Sequence, residues 1–264
     1  IVAPLLATHF PNLAHSASLI GYGSDVLGYD TALSTDHNWG PRLQLFLTPA
    51  DHAAQQNWVD QMLRRQLPHS YKGYAVNFSE PDPNDGGVQH MEPSTKPEVR
   101  HLLEIVTVED YFRRYLGRDP YAPLAPVDWL TLGEQKLLEV TAGRVYQDGL
   151  GELQEVRAKY AYYPHDIWLY RLAAQWTRIA QEEAFMGRCG AVGDELGSHI
   201  VAARLARELM RLAFLLERRY APYSKWFGTA FSRLECAPVL LPMLNAILDN
   251  NPWQARQKPL VAAY

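Results

Sequence analysis

Gly23-Ser24-Asp25-Val26-Leu27-Gly28-Tyr29-Asp30-Thr31-Ala32-Leu33-Ser34-Thr35-Asp36-His37-Asn38-Trp39-Gly40-Pro41-Arg42, followed by Leu43-Gln44-Leu45-Phe46-Leu47, is the stretch around which the rest of the chain is organised. Ile20 to Tyr22 close a strand that begins near His15. Gly23 can take a positive φ and, lacking a Cβ, lets a ligand approach the backbone. Ser24 adds a hydroxyl and a free N–H at the start of a helical turn, a setting that favours phosphate. Asp36 and Asn38 alternate on an extended segment, which points both side chains to one face. Oxygen donors placed in this way suit Mg²⁺, a hard cation that prefers carboxylate and phosphate ligands. A competing reading makes the turn ordinary, with Trp39 and Pro41 packing the loop and Arg42 a surface charge.

Outward from that stretch, Ile1 to Phe10 form a short amphipathic helix. Arg42 to Thr48 alternate, with Leu43, Leu45 and Leu47 on one side and Phe46 on the other, as in a largely buried strand. Thr48 then caps a helix that starts at Pro49 and runs to Gln66, with Trp58, Met62 and Leu63 on its apolar side. A strand follows at Tyr74 to Phe78, then a loop from Glu80 to Pro97 rich in Pro, Asp and Gly. Arg100 to Val108 form the next strand, with Leu102, Glu104 and Val106 on one face. A Glu inside an apolar strand is costly unless paired or bound to metal. The readings stay open: Glu104 completes a metal and catalytic cluster, or it pairs with an Arg such as Arg100, or the strand lies at a sheet edge.

Beyond Val108 the pattern turns helical, first to a stop at Gly117. A Pro-rich linker over Asp119 to Pro126 sets the boundary between residues 1–118, an α/β domain, and 119–264, a helical bundle. Helices are expected over 128–142, 150–160, 165–186, 194–220, 222–234 and 238–249, with Asp194 as an N-cap. On the long helix Arg204, Arg207, Arg211 and Arg218 form one stripe, opposite Leu205, Leu209, Leu212 and Leu216. Either the stripe is salt-bridged, by Glu208, Glu217, Glu182 or Glu183, or it is a basic wall that meets phosphate. His37, His165 and His199 lack metal-triad spacing and are read as structural.

Composition bounds the alternatives. The chain has 264 residues, formal net charge −4 and 47% hydrophobic content, ordinary for a globular protein and no footprint of a broad non-specific DNA binder. Cys189 and Cys236 are too few for a disulfide framework, in keeping with a reducing, cytoplasmic setting. No membrane span or signal peptide is visible, and with Ile1 first a preceding segment is expected to be missing.

The Gly23-Ser24 turn followed by an Asp-x-Asp-like pair resembles the polymerase-β-type nucleotidyltransferases, with Asn38 in place of the second Asp. The whole chain resembles a bacterial family known as domain of unknown function 4037, placed with that superfamily. This second resemblance rests on the 23–42 block, Asp128-Trp129-Leu130, Glu134-Gln135, Tyr162-Tyr163-Pro164, Gln181-Glu182-Glu183, Gly187-Arg188, Gly193 to Ser198 and Tyr220-Ala221-Pro222-Tyr223. It implies an α+β protein, a nucleotidyltransferase-like mixed-sheet domain followed by a helical bundle. It further implies Mg²⁺, a nucleoside triphosphate, with ATP expected, and a small-molecule, protein or RNA acceptor. Gly23, Ser24, Arg42, Arg204 and Arg207 would bind the nucleotide; Asp36, Asn38 and Glu104 would hold metal, with Asp36 and Glu104 catalytic. The alternative is a degenerate nucleotide-binding or interaction protein that keeps the fold.

Overall fold

In the computed structural model residues 1–34 and 38–264 are described, and Thr35, Asp36 and His37 lie outside them. Two compact units divide the chain, one of Ile1–Pro123 with Lys136–Ala161 and one of Leu124–Gln135 with Tyr162–Tyr264.

The first unit opens with α1 (Val2–His9), β1 (His15–Leu19), the single turn α2 (Ser24–Leu27) and β2 (Arg42–Leu47). Then come α3 (Pro49–Gln66), the two-residue strands β3 (Ser70–Tyr71) and β4 (Tyr74–Ala75), β5 (Leu102–Val106) and α4 (Val108–Leu116). The chain leaves for α5 (Pro126–Thr131) and returns along α6 (Glu134–Thr141), β6 (Arg144–Asp148) and α7 (Leu153–Lys159). Four of the described strands make a mixed sheet in the order β5-β2-β1-β6, with β1 antiparallel to both neighbours and β2 parallel to β5, while β3 and β4 pair as a separate antiparallel hairpin. A parallel pair needs a crossover, and α3 supplies it.

β2 lies inside the sheet, and Leu45, Phe46 and Leu47 are fully buried, each burial worth roughly 2 kcal/mol. Leu45 and Leu47 join Leu6 of α1 and Val59 and Leu63 of α3 in one core. Phe46, on the other face, meets Tyr111 of α4 edge-on at 5.5 Å. The Thr48 hydroxyl caps α3 by accepting from Asp51 N at 3.1 Å. Trp58, expected on the apolar side of α3, is 71% exposed instead. The buried stripe is Val59–Leu63, and the neighbouring position is turned about 100° away from it.

The strand expected over Tyr74 to Phe78 shrinks to Tyr74–Ala75, after which Phe78 N donates to Arg100 O at 2.8 Å. The boundary read at residue 118 does not coincide with the division of the structure. Residues 136–161 belong with the sheet because β6 pairs with β1. Gly143, at φ +73, makes that return possible, since a Cβ there would run into the Leu19 carbonyl.

The second unit is helical: α5 and the first turn of α6, then α8 (His165–Glu182), α9 (Phe185–Ala191), α10 (Glu195–Leu216), α11 (Ser224–Phe231), α12 (Ala237–Asp249) and α13 (Trp253–Ala263). α10 packs against α8, α9, α12 and α13 and buries Leu205, Leu209 and Leu212. Leu216, its last residue, stays 56% exposed, unlike the rest of the expected stripe. Asp194 caps α10 through Gly197 N at 2.7 Å. α9 and α13 were not expected as separate helices. Arg256 of α13 is wholly buried and donates to Glu195 Oε2 at 2.6 Å and Ser198 Oγ at 2.8 Å, anchoring α13 to α10. Among the described residues no helix is long and apolar enough to cross a membrane.

Candidate functional site

The site proposed by sequence begins where β1 ends. Gly23 has φ 129°, and a Cβ there would strike the Asp25 carboxylate and the Arg42 guanidinium. The glycine is therefore needed for packing as well as for any ligand. Arg42 Nη2 donates to Asp25 Oδ1 at 2.5 Å and to Tyr22 O at 3.3 Å, and its guanidinium lies 5.0 Å from the Tyr22 ring centre. Its side chain is 7% exposed, so Arg42 is no surface charge. Ser24 Oγ donates to Asp30 Oδ1 at 2.6 Å, and Trp39 Nε1 donates to Asp30 Oδ2 at 3.0 Å. Asp25 and Asp30 organise this turn, yet neither stood out in the sequence. Both hold their partners across a loop, and no local spacing marks them.

Asn38 corrects the expectation of an extended segment. Its φ is 46°, its N–H donates to Gln89 O at 3.1 Å, and its Oδ1 accepts from Gln89 N at 2.8 Å. An Asn readily adopts this left-handed conformation. The alternation argument that paired it with Asp36 does not apply at this position. Asp36 itself, with His37, falls outside the described residues. Among the described residues no three His, Cys, Asp or Glu side chains gather as a metal cluster.

Glu104 stands on β5, opposite Gln44, on the sheet face that also carries Arg42. Among the described strands β5 is at one edge of its sheet. Glu104 forms an ion pair with Arg114 of α4, while Arg100, the partner considered in the sequence, pairs with Glu80. Tyr111 and Tyr115 of α4 pack in parallel at 5.5 Å beside this face. Burial, reinforced by the charge of Glu104, raises the Tyr111 pKa. Burial and a 2.5 Å bond to Glu139 Oε2 raise that of Tyr115. Both phenols remain protonated donors near neutral pH.

A cavity of about 730 Å³ opens next to the turn. Asp25, Trp39 and Arg42 line one end, Leu43, Leu45 and Leu103 the sheet side, and Tyr71 and Tyr74 the hairpin side. Its size and mixed lining are those of a small-molecule pocket.

Arg204 and Arg207 lie in the second unit, on α10, each beside an acid. Arg204 meets Glu182 at 2.7 Å and Arg207 meets Glu208 at 3.2 Å. Arg211 is 3.3 Å from Glu134, and Arg218 sits 4.1 Å from the Trp168 ring centre. Glu217, named as a partner of the stripe, accepts instead from the backbone N–H groups of Glu235 and Cys236. His199 contacts Asn251 at 2.9 Å and Arg256, and His165 lies against Trp168, both in structural roles.

Residues 129–227 match a family described as Domain of unknown function (DUF4037). The matched stretch runs from α5 into α11. No curated protein matches the chain.

Proposed function

We propose that the first unit binds a nucleoside triphosphate at the Gly23–Ser24 turn and transfers its nucleoside monophosphate to a hydroxyl acceptor. The observation that carries this reading is convergence: Gly23 lies against Arg42, and Arg42 shares its sheet face with Glu104. Gly23 leaves room for phosphate at the backbone, Ser24 exchanges its Asp30 bond for a phosphate oxygen, and Arg42 supplies positive charge. The acceptor oxygen forms a bond to the α-phosphorus as the bond to the departing pyrophosphate breaks. Glu104 takes the hydroxyl proton or orients the hydroxyl.

Glu104 suits a hard dication, being a carboxylate 35% exposed whose ion-pair partner Arg114 is itself 59% exposed. Asn38 does not fit that role, because its side-chain oxygen already accepts from Gln89 N. Asp36 and Glu104 are therefore the residues that would hold Mg²⁺, which would stabilise charge on the triphosphate. The amide at position 38 also favours a second reading, a protein that binds nucleotide without transferring it.

Melting the chain with Mg²⁺ and a nucleotide panel tests the proposal. A saturating nucleotide is expected to stabilise it by about 2.7 kcal/mol at a hundredfold excess over Kd. Asp36→Ala should abolish the Mg²⁺-dependent part and leave the fold intact. Glu104→Gln should weaken the Mg²⁺-dependent part and lose turnover. Equal nucleotide-dependent shifts in wild type and Asp36→Ala would defeat the metal site.

A further inference from the structure

The second unit holds a smaller cavity of about 180 Å³, lined by residues of α5, α6, α8 and α10. Three guanidinium groups, Arg171, Arg178 and Arg211, share its wall with one carboxylate, Glu134. Their ion pairs are long. Arg211 and Arg171 approach the same oxygen, Glu134 Oε2, at 3.3 and 3.6 Å, while Glu134 Oε1 accepts from Ala221 N at 3.1 Å. Arg178 stands 3.7 Å from Glu208 Oε2, an oxygen that already accepts from Gln175 Nε2 at 2.7 Å. The other Glu208 oxygen faces Arg207. Arg171 Nε is buried without a hydrogen-bond partner, its guanidinium 4.5 Å from the Tyr163 ring centre.

Guanidinium groups do not shed their charge to relieve crowding. Arg171, Arg178, Arg207 and Arg211 are set against Glu134 and Glu208, which leaves a surplus of two positive charges in this cluster. The wall thus carries guanidinium groups whose N–H donors outnumber the carboxylate oxygens facing them, around a space sized for a single small group.

We infer that this cavity binds a phosphate dianion, as inorganic phosphate or as the phosphate of a monoester. Two negative charges match the surplus, where a carboxylate would leave one positive charge unmatched. Planar forks pair with phosphate oxygens two at a time, and charge-assisted bonds of this kind are strong. Tyr170, 60% exposed, and Leu130 stand at the cavity and offer an apolar surface to the organic part of a monoester. The volume admits one phosphate group, which disfavours a nucleic-acid backbone. The cavity's lining residues all fall within residues 129–227, the stretch that matches the family. The inference stands apart from the nucleotide reading, since its residues lie in the other unit and need no Mg²⁺.

The test is calorimetric titration of the whole chain, without Mg²⁺, with inorganic phosphate, phenyl phosphate and benzoate at about pH 8, where phosphates are dianions. Both phosphates should bind, and benzoate should bind at least about tenfold more weakly. Tighter binding of phenyl phosphate assigns a monoester, and equal affinity assigns free phosphate. Arg211→Gln and Arg178→Gln should each weaken phosphate binding about tenfold. Arg65→Gln, on the first unit, should not change it. At about pH 5 the monoester becomes a monoanion and its affinity should fall. Arg178 has a side chain 56% exposed, so its variant stays informative if Arg211→Gln does not fold. Absence of phosphate binding, or equal affinity in wild type and Arg178→Gln, would overturn the site.

Discussion

Around Gly23, Arg42 meets Asp25 at 2.5 Å, Ser24 and Trp39 divide the two oxygens of Asp30, and Asn38 exchanges two bonds with Gln89. Around Glu134, by contrast, Arg171 and Arg211 crowd one oxygen at 3.3 Å or more, and Arg178 comes no closer than 3.7 Å to Glu208. The first region has spent most of its polar groups on itself, with Arg42 Nε left without a hydrogen-bond partner, and a ligand there must displace internal bonds. The second has donors left over. Residues that look chemical in a sequence can be structural, whereas a charge surplus shows only when partners are counted in space.

The largest effect is expected where the first region is most closed. Arg42→Met leaves the part-buried Asp25 without its cation, and such breakage costs on the order of 3 kcal/mol. Urea unfolding should show a lower midpoint with an unchanged slope. A loss under about 1 kcal/mol would mean that the pair does not hold the turn.

Gln175→Leu asks how much of the second region is already satisfied. Gln175 Nε2 donates to both the carboxylate and the carbonyl of Glu208. Losing a bond to a charged group costs about 2 kcal/mol. The same unfolding measurement checks it, and a neutral result would make Glu208 indifferent to its partners.

His101 is the exception inside the first unit. Its Nδ1 accepts from Leu103 N at 3.2 Å, while Nε2 is buried, 3.5 Å from Asp60, with no hydrogen bond. Burial, opposed by the nearby Asp60 charge, lowers its pKa below 6.5. Below pH 6.5 the unfolded chain then takes up a proton that the folded one resists. Stability from this group is full above that pH and lost as pH falls, by at most about 1.4 kcal/mol per pH unit. His101→Gln should flatten the slope of melting temperature between about pH 7 and pH 5; an unchanged slope would place the titration elsewhere.

Ser24→Ala is expected to be the smallest, roughly 0.5 kcal/mol, because the bond to Asp30 is exposed. Nucleotide affinity should drop by more than that if the hydroxyl meets phosphate. A matching small change in both would reduce Ser24 to a turn residue.

The sequence alone determined the elements whose signals are local. The alternation of Leu43 to Leu47, the Thr48–Pro49 helix start, the stop of α4 at Gly117 and the Asp194 cap are all present where expected. Each depends on neighbours within one or two turns, a range that periodicity and capping rules cover. The candidate site was legible in the same limited sense: Gly23, Ser24 and Arg42 follow from the turn and strand that carry them. Only the tertiary structure decided their partners. β6, a largely exposed run from Arg144 to Asp148, is a strand because β1 pairs with it. Asn38 turns toward Gln89, fifty-one residues away in sequence, and Glu134 joins Arg211 across seventy-seven. Such pairings are fixed by packing and by the need to satisfy buried polar groups, conditions that no short stretch of sequence contains.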